Sequence, residues 1–515
     1  MWGSNARNAH PIFFKHLLKG VRNGAKLFVV DPRRSESAMF ADLWLGIDVG
    51  TDIALANTVA REIIESGLAH EGFIENATVD FEEFKASVAD WTLERGAEVT
   101  GVPADAIKEL AHAYASASTA QLCWTLGITE HHNATDNVLS LINLSLLTGH
   151  IGRYGSGLVP VRGQNNVQGG GDMGALPDKL PGFQDLQDDQ LRGKFEEVWG
   201  MPIPAKAGMH LSLQFEAMER GELRSVYIIG ENPARSEADS ARARQLLSGL
   251  DTLIVQDIYM TETASLADVV FPATAAWSES EGTVTNSERR VQRVRAAVRP
   301  PDGAKSDIDI LGLLASGLGA QWRDLSAEEW WDELRSLSPI HFGMTYERLE
   351  AERGLQWPCR TLEDPGSLFL HERFWAEPRE GPPAPFHPVV HAPPVDELTD
   401  EFPTRLTTGR HLESFNTGAQ TSHFDAPSRP GAGIDLSPQD ADELGVTTGQ
   451  RVRISSRRGS IEAAVTVVAT QRLGLAFMAF HYPEVVDVNV VTIDAWDPKS
   501  GTAEFKATAV RLEKL

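Results

Sequence analysis

Short apolar runs that end in polar or turn residues alternate with stretches of helical rhythm over the first two thirds of the chain. Lys26–Val30 reads as a buried strand ending at Asp31. Thr51 and Asp52 stand where a helix N-terminus is capped, and Ala54, Leu55, Val59, Ile63 and Ile64 then keep helical spacing until Gly67 stops it. Asp136 opens a second helix, with Val138, Leu139, Leu141, Ile142 and Leu146 on its apolar positions and Gly149 at its end. Strands interleaved with helices predict an α/β class with parallel sheet. Val226–Ile229, Thr252–Val255 and Asp268–Phe271 form a second such set, running into Gly230–Pro233, Gln256–Asp257 and Pro272. In parallel sheets, ligand contacts gather at the carboxyl ends of the strands, so these junctions are candidate binding points.

The rhythm then changes. Gly354–Leu398 is rich in proline, with Pro382–Pro385 and Pro393–Pro394, and reads as a linker or wrapping segment. Beyond it the text is β-rich: Leu406, Val452–Ile454, Ile461–Val465 and Leu475–Met478 predict short strands of a compact barrel. Ser437-Pro-Gln-Asp440 is a helix start with proline at the first helical position, and Ser456–Gly459 a hairpin turn. The expected division is 1–164, an α/β domain incomplete at its N-terminus; 165–353, a second α/β domain; 354–398, the linker; and 399–515, the barrel.

A chain of 515 residues is long enough for several domains and a large core. Its 72 acidic and 47 basic side chains give a net charge of -25, which argues against nucleic acid or an anionic membrane as partner. The two cysteines, Cys123 and Cys359, are too few for an iron–sulfur cluster or a zinc ribbon within this chain, and they fit a reducing, cytoplasmic setting. No apolar run reaches the length of a membrane span.

Val161–Pro177 changes the picture most. Glycines, side-chain amides and Arg162 crowd a stretch with almost nothing to fill a core. Ordering it costs backbone entropy, which a bound polar ligand would offset. The amides pair donors with acceptors, and Arg162 offers a planar cationic fork for a carboxylate or phosphate. His131 and His132 lack a third ligand nearby in sequence and are not read as a metal site. Trp330 and Trp331, among acids at helical spacing, read as packing.

Taken together, Gly3-Ser-Asn5, Asp31-Pro-Arg-Arg34, Gly50-Thr-Asp52, Leu147–Gly152, Gly230-Glu-Asn-Pro233, Gly354–Cys359, Thr408-Gly-Arg410, Asp497–Gly501 and Glu504-Phe-Lys506 occur in an order that resembles the catalytic subunit of molybdenum- or tungsten-dependent formate dehydrogenases. These belong to the bis-molybdopterin guanine dinucleotide (bis-MGD) oxidoreductases. The resemblance implies two Rossmann-like αβα domains around a bis-pterin cofactor and a C-terminal double-psi β-barrel. It implies that Gly3, Asn5, Asp31, Arg33, Gly50, Asp52, Gly127 and Gly163 help hold the cofactor, and that Gly230, Glu231, Asn232, Gln256, Asp257, Glu279 and Asn286 contact its second dinucleotide. Gly409, Arg410, Thr417 and Gly418 would close over the pterins, with Asn489 and Lys506 as further contacts. Relatives carry aromatic or histidine residues where this chain has Ser414, Phe415 and Asn416. Arg162 would orient formate, with Gln164 shaping its pocket. Read without the resemblance, Gly3–Asn5 is equally an ordinary turn, Asp31, Asp52 and Asp257 equally caps or surface acids, Glu279–Gly282 a solvated turn, and Arg162 a partner for cofactor phosphate.

In that family a cluster-binding cysteine segment, a metal-ligating cysteine or selenocysteine and a histidine precede the Gly-x-Asn turn, as does an apolar strand. This sequence starts at Met1-Trp2-Gly3 and contains none of them. The expectation is a missing N-terminal segment or polypeptide, an open sheet edge beside Gly3, and iron–sulfur electron-transfer subunits as partners. The alternatives are a non-catalytic cofactor-binding fragment, or a sister enzyme such as a nitrate reductase.

Overall fold

The computed structural model describes residues 1–414, 416–421 and 432–515; Phe415 lies outside them. The chain forms two units: residues 1–161 with 235–242 and 369–515, and residues 162–234 with 243–368.

In the first unit, strands Phe28–Val30 and Leu43–Leu45 pair in parallel, as do Gln121–Trp124 and Gly157–Pro160. Trp2 joins the two pairs through parallel bridges to Val30 and Trp124. The expected open edge beside Gly3 is therefore corrected. The Trp2 N–H donates to Cys123 O at 2.8 Å and the Gly3 N–H to Val30 O at 2.8 Å, so Met1–Gly3 occupies an interior position of the sheet. Helix Asp52–Glu65 runs through the core with Ala54, Leu55, Val59, Ala60 and Ile63 all buried. Thr51 sits at its N-cap position but donates its hydroxyl to Asp48 O at 2.7 Å rather than capping the helix. The helix around Asp136 spans Ala134–Thr148, two residues earlier than the sequence suggested, and Gly149 ends it at φ 66°.

The proline-rich stretch is divided. Leu355–Gln356 adds a strand to the hairpin Gly282–Thr285/Arg290–Val294 of the second unit. From residue 369 the chain wraps the first unit, where Phe386 stacks on Phe84 at 5.0 Å and Ala384–Pro385 pairs with Thr78–Val79. It then enters a closed six-stranded barrel in the order Thr404–Gly409, Leu475–Ala479, Ile434–Leu436, Ser460–Val467, Arg451–Ser455, Thr508–Lys514. Alternation along Arg451–Ser455 and Ser460–Val467 puts Val452, Ile454, Ala463 and Val465 inside. The Ser437 hydroxyl accepts from Asp440 N with Pro438 in the first turn, as the sequence predicted.

The second unit carries a parallel sheet in the order Val269–Pro272, Thr252–Asp257, Ser225–Ile229. Phe215, Leu247, Leu253, Val255 and Ala264 form its core. Trp331 is buried in a separate cluster and donates its indole N–H to Met344 O at 2.6 Å. No described helix is long and apolar enough to cross a membrane.

Candidate functional site

Polar groups gather at the carboxyl ends of the first sheet. Gly3 and Gly127 meet there back to back. A Cβ on Gly3 would lie 2.8 Å from the Gly127 carbonyl carbon, and one on Gly127 would lie 2.5 Å from Gly3 O, so neither position accepts a side chain without moving backbone. Gly3 O accepts from Gly127 N at 3.1 Å and from the Thr125 hydroxyl at 2.8 Å. Asn5 ties this turn to the loop between strands Phe28–Val30 and Leu43–Leu45: its amide donates to Glu36 at 2.8 Å, and its oxygen accepts from the Ser37 hydroxyl at 2.9 Å. Gly50, at φ 83°, leaves room for Pro394, which a Cβ would meet at 2.6 Å.

Asp31 follows its strand as expected, and its carboxylate accepts from Arg33 N at 2.9 Å. Burial pushes its pKa up to about 6 against the pull of the Arg33 charge. Burial pulls the Arg33 guanidinium down, while Asp31, Asp435 and Glu36 support its charge. That guanidinium lies 3.4 Å from the centre of the Phe477 ring. His411 packs edge-on against the same ring at 5.5 Å, and Gly409 leaves it space. Arg410 is half-buried, and burial lowers its pKa; Thr417 and Gly418 (φ 69°) follow in the same loop. Phe477, His411, Asp435 and Glu36 were not singled out from sequence. They belong to different strands and loops, and no local spacing connects them.

A charged cluster lies behind the Gly127 turn. Asp52, 6% exposed, accepts the Trp2 indole N–H at 2.8 Å. Its pKa is raised, first by burial, against the neighbouring His131. His131 contacts Gly127 O at 3.2 Å and Glu504 at 3.3 Å. Burial alone would raise the Glu504 pKa, but His131 and several N–H donors hold it far below the usual carboxylate range. Lys506 pairs with Glu130 at 2.6 Å and donates to Thr408 O at 3.1 Å. Asn489 donates to Arg235 O and Ser236 O at 3.2 Å each.

The second sheet repeats the arrangement with amides. Gly230, at φ 63°, donates its N–H to Gln256 O at 2.8 Å, and Glu231 beside it is exposed. Asn232 is buried, donating to Glu262 at 2.8 Å and accepting from the Thr263 hydroxyl at 2.7 Å. Gln256 is fully buried, accepts from the Tyr227 hydroxyl and donates to Asp307 at 2.5 Å. Burial raises the Asp257 pKa, with Asp307 adding to it. Glu279 accepts from Ala275 N at 2.8 Å. Asn286 closes the hairpin turn, its oxygen accepting from Glu288 N and Arg290 N at 3.0 Å each.

Comparison with known proteins decides the family. The molybdopterin oxidoreductase description matches residues 1–316, and that of the molydopterin dinucleotide binding domain matches residues 404–509. The chain belongs to the molybdopterin oxidoreductase family. It is 41% identical to the F420-dependent formate dehydrogenase 2 subunit alpha of Methanococcus maripaludis, over 100% of this chain and 76% of that protein. It is 36% identical to formate dehydrogenase H of Escherichia coli, over 100% of this chain and 72% of that protein. Acetylene hydratase from Pelobacter acetylenicus shares the fold, with a TM-score of 0.72 at 22% identity, covering 98% of this chain and 76% of that one.

A molybdopterin dinucleotide brings phosphates, sugars and heteroaromatic edges, and the donor set of this family member fits one. Ser4 Oγ, Ser35 Oγ and Arg33 Nε in the first unit, and Thr274 Oγ1 in the second, are buried without a partner among the described residues. Buried donors normally find partners, so groups left over at strand ends mark where a polar ligand completes them. Arg162 is the first residue after Val161 at the end of strand Gly157–Pro160, and it opens the glycine-rich segment. Gly163 and Gln164 are exposed. Arg162 reaches Val167 O at 3.4 Å, and its carbonyl accepts from the Ser287 hydroxyl at 3.3 Å. The segment then forms helix Val167–Asp172, with Asn166 at φ 69° accepting from Thr285 N at 3.0 Å. Gly169 lies so close to the Asn166 amide that a Cβ would fall 1.9 Å from its oxygen. Asp172 is anchored by Trp357 at 2.7 Å. Among the described residues no three His, Cys, Asp or Glu side chains converge on a metal position.

Proposed function

We propose that this chain holds a bis-MGD cofactor carrying molybdenum or tungsten and oxidises formate to carbon dioxide. Formate gives up a proton and two electrons, and the bound cofactor is the group that accepts the electrons. The observation that carries the reading is Arg162: a guanidinium delivered by the end of a parallel strand into an exposed, amide-rich loop, in a chain matched along its full length by formate dehydrogenases. Arg162 pairs with the one-carbon carboxylate through two N–H donors and orients its C–H, while Gln164 and the following amides shape the pocket. Two separate parallel sheets, each ending in a glycine turn and buried donors, support two dinucleotides rather than one. Gly3, Asp31, Arg33, Asp52 and Gly127 hold one; Gly230, Glu231, Asn232, Gln256, Asp257, Glu279 and Asn286 hold the other; Gly409 and Arg410 close over both pterins, with Lys506 as a further contact. The proposed setting is cytoplasmic, with iron–sulfur subunits receiving the electrons.

The test is metal analysis and acid-released GMP on the purified chain, followed by kinetics of Arg162→Ala in the assembled enzyme. About two GMP per chain are expected, and a KM for formate raised roughly tenfold or more by loss of the charged pair. Unchanged formate kinetics, or turnover of nitrate instead of formate, would overturn the reading.

A further inference from the structure

We propose that His131 is kept as a doubly protonated imidazolium and is the positioning residue that fixes both the Gly127 turn and the Glu504–Lys506 segment for the dinucleotide. The inference rests on the proposed function for its ligand, but its chemistry follows from the partners of the ring. Nε2 faces Gly127 O at 3.2 Å, and a carbonyl oxygen only accepts. Nδ1 faces Glu504 Oε2 at 3.3 Å. That oxygen also accepts the backbone N–H of His132 at 3.0 Å, while Oε1 accepts those of Lys506 at 2.8 Å and Ala507 at 3.0 Å. A carboxylate receiving three backbone N–H groups is held ionised and has no proton to offer. Both ring nitrogens must therefore donate, which requires the cation.

The surroundings agree. Asp52 faces the ring from helix Asp52–Glu65, Glu504 and Lys506 from the segment leading into the last barrel strand, and His132 lies 3.5 Å from the same Glu504 oxygen. Lys506 opposes the ring charge, but its ammonium is paired with Glu130. The ring pKa is raised: burial lowers it, and Glu504 and Asp52 outweigh that.

One cation thus ties together two groups of proposed cofactor contacts. On one side, Gly127 is welded to Gly3, next to the Ser4 hydroxyl, which has no partner among the described residues. On the other, Glu504 sets the backbone of Lys506, whose amine is held on Thr408 O beside Gly409 and Arg410. No other described side chain makes both contacts.

The test uses the full chain labelled with 15N-histidine. A signal with both ring nitrogens protonated is expected at pH 8.5, absent from His131→Gln and moved to the neutral form in Glu504→Gln. Both variants are then loaded and dialysed, and acid-released GMP is followed. His131→Gln is expected to lose GMP about tenfold faster than wild type, because removing one member of a buried pair strands the other. A neutral His131 ring in wild type at pH 8.5, or GMP retention unchanged in a folded His131→Gln, overturns the proposal. Should His131→Gln fail to fold, the ring state in wild type and in Glu504→Gln decides. A chain that never carries GMP sinks the cofactor reading through the loading measurement, whereas a neutral ring in a GMP-loaded chain sinks only this one.

Discussion

The two parallel sheets end in similar glycine turns but use different chemistry behind them. At the first, charged groups are shut in: Asp52, His131 and Glu504 are buried and Asp31 half-buried, with Arg33 lying on the Phe477 ring. At the second, the buried groups are amides, Asn232 and Gln256, each spending its donors on carboxylates at the start of a neighbouring helix, Glu262 and Asp307. A buried charge demands a partner and fixed donors, so the first sheet depends on residues far apart in sequence: His131 needs Glu504, 373 positions away. A buried amide is satisfied by a handful of neutral or locally placed partners, so the second sheet looks after itself within about fifty residues, as Gln256 and Asp307 do at a separation of 51. Charge at strand ends makes a site an assembly of distant segments; amides leave it modular.

The largest break should come from Gly127→Val. Its Cβ would meet Gly3 backbone from 2.5 Å, and neither turn can yield. A destabilisation above about 3 kcal/mol and loss of GMP loading are expected, read by chemical denaturation and acid-released nucleotide. The equivalent change in the second region, Gly230→Val, meets nothing within 4 Å among the described residues and strains a positive φ, so equal effects at the two glycines would refute the contrast.

Glu504→Ala comes next. It removes the anion that keeps the His131 ring protonated and strands the backbone N–H groups of His132, Lys506 and Ala507, at about 3 kcal/mol or more. The sign follows from the depressed carboxyl pKa: the contribution of Glu504 is present above its unfolded value of 4.5 and fades as pH falls below that. Wild type and variant should therefore differ most in melting temperature near neutrality and converge in acid. A gap that widens on acidification would show that Glu504 is not the anion of the pair.

Asp31→Asn sharpens the same point with the opposite sign. The Asp31 pKa is raised from 3.8 to about 6, so the native state favours the proton; that stability is full below 3.8 and lost once pH passes 6. In the cofactor-free chain, Asn should match wild type at acid pH and be more stable by about 3 kcal/mol above the raised pKa. Urea titrations at the two extremes of pH measure it, and no gain at neutral pH would mean that Arg33 already neutralises the carboxylate.

Asn232→Ala in the second region should cost least, about 1–2 kcal/mol, since the exposed Glu262 can turn to water and the Thr263 hydroxyl keeps its bond from Ala234 N. A loss as large as that of Glu504→Ala would erase the distinction between charge-built and amide-built strand ends.

The sequence alone determined the α/β order, the β-rich C-terminal barrel region, the capped helix at Ser437 and the strand-to-turn junctions at Asp31, Gly230 and Asp257. These are local: apolar periodicity and turn chemistry act over a few residues, and backbone hydrogen bonding does the rest. It missed the three-residue strand Leu43–Leu45 and the hairpin at Gly282–Val294, whose apolar runs are too short or too interrupted by charge to show a period. It placed Thr51 as a side-chain cap, whereas the hydroxyl donates to Asp48 O and accepts no helix N–H. Only the tertiary structure decided that Trp2 bridges two strands, that Gly3 and Gly127 need each other, that Phe477 carries Arg33, and that His131 lies between Gly127 and Glu504. Those facts depend on which distant backbones approach and which charges are then shut away from water together. No spacing along the chain encodes such a meeting; packing does.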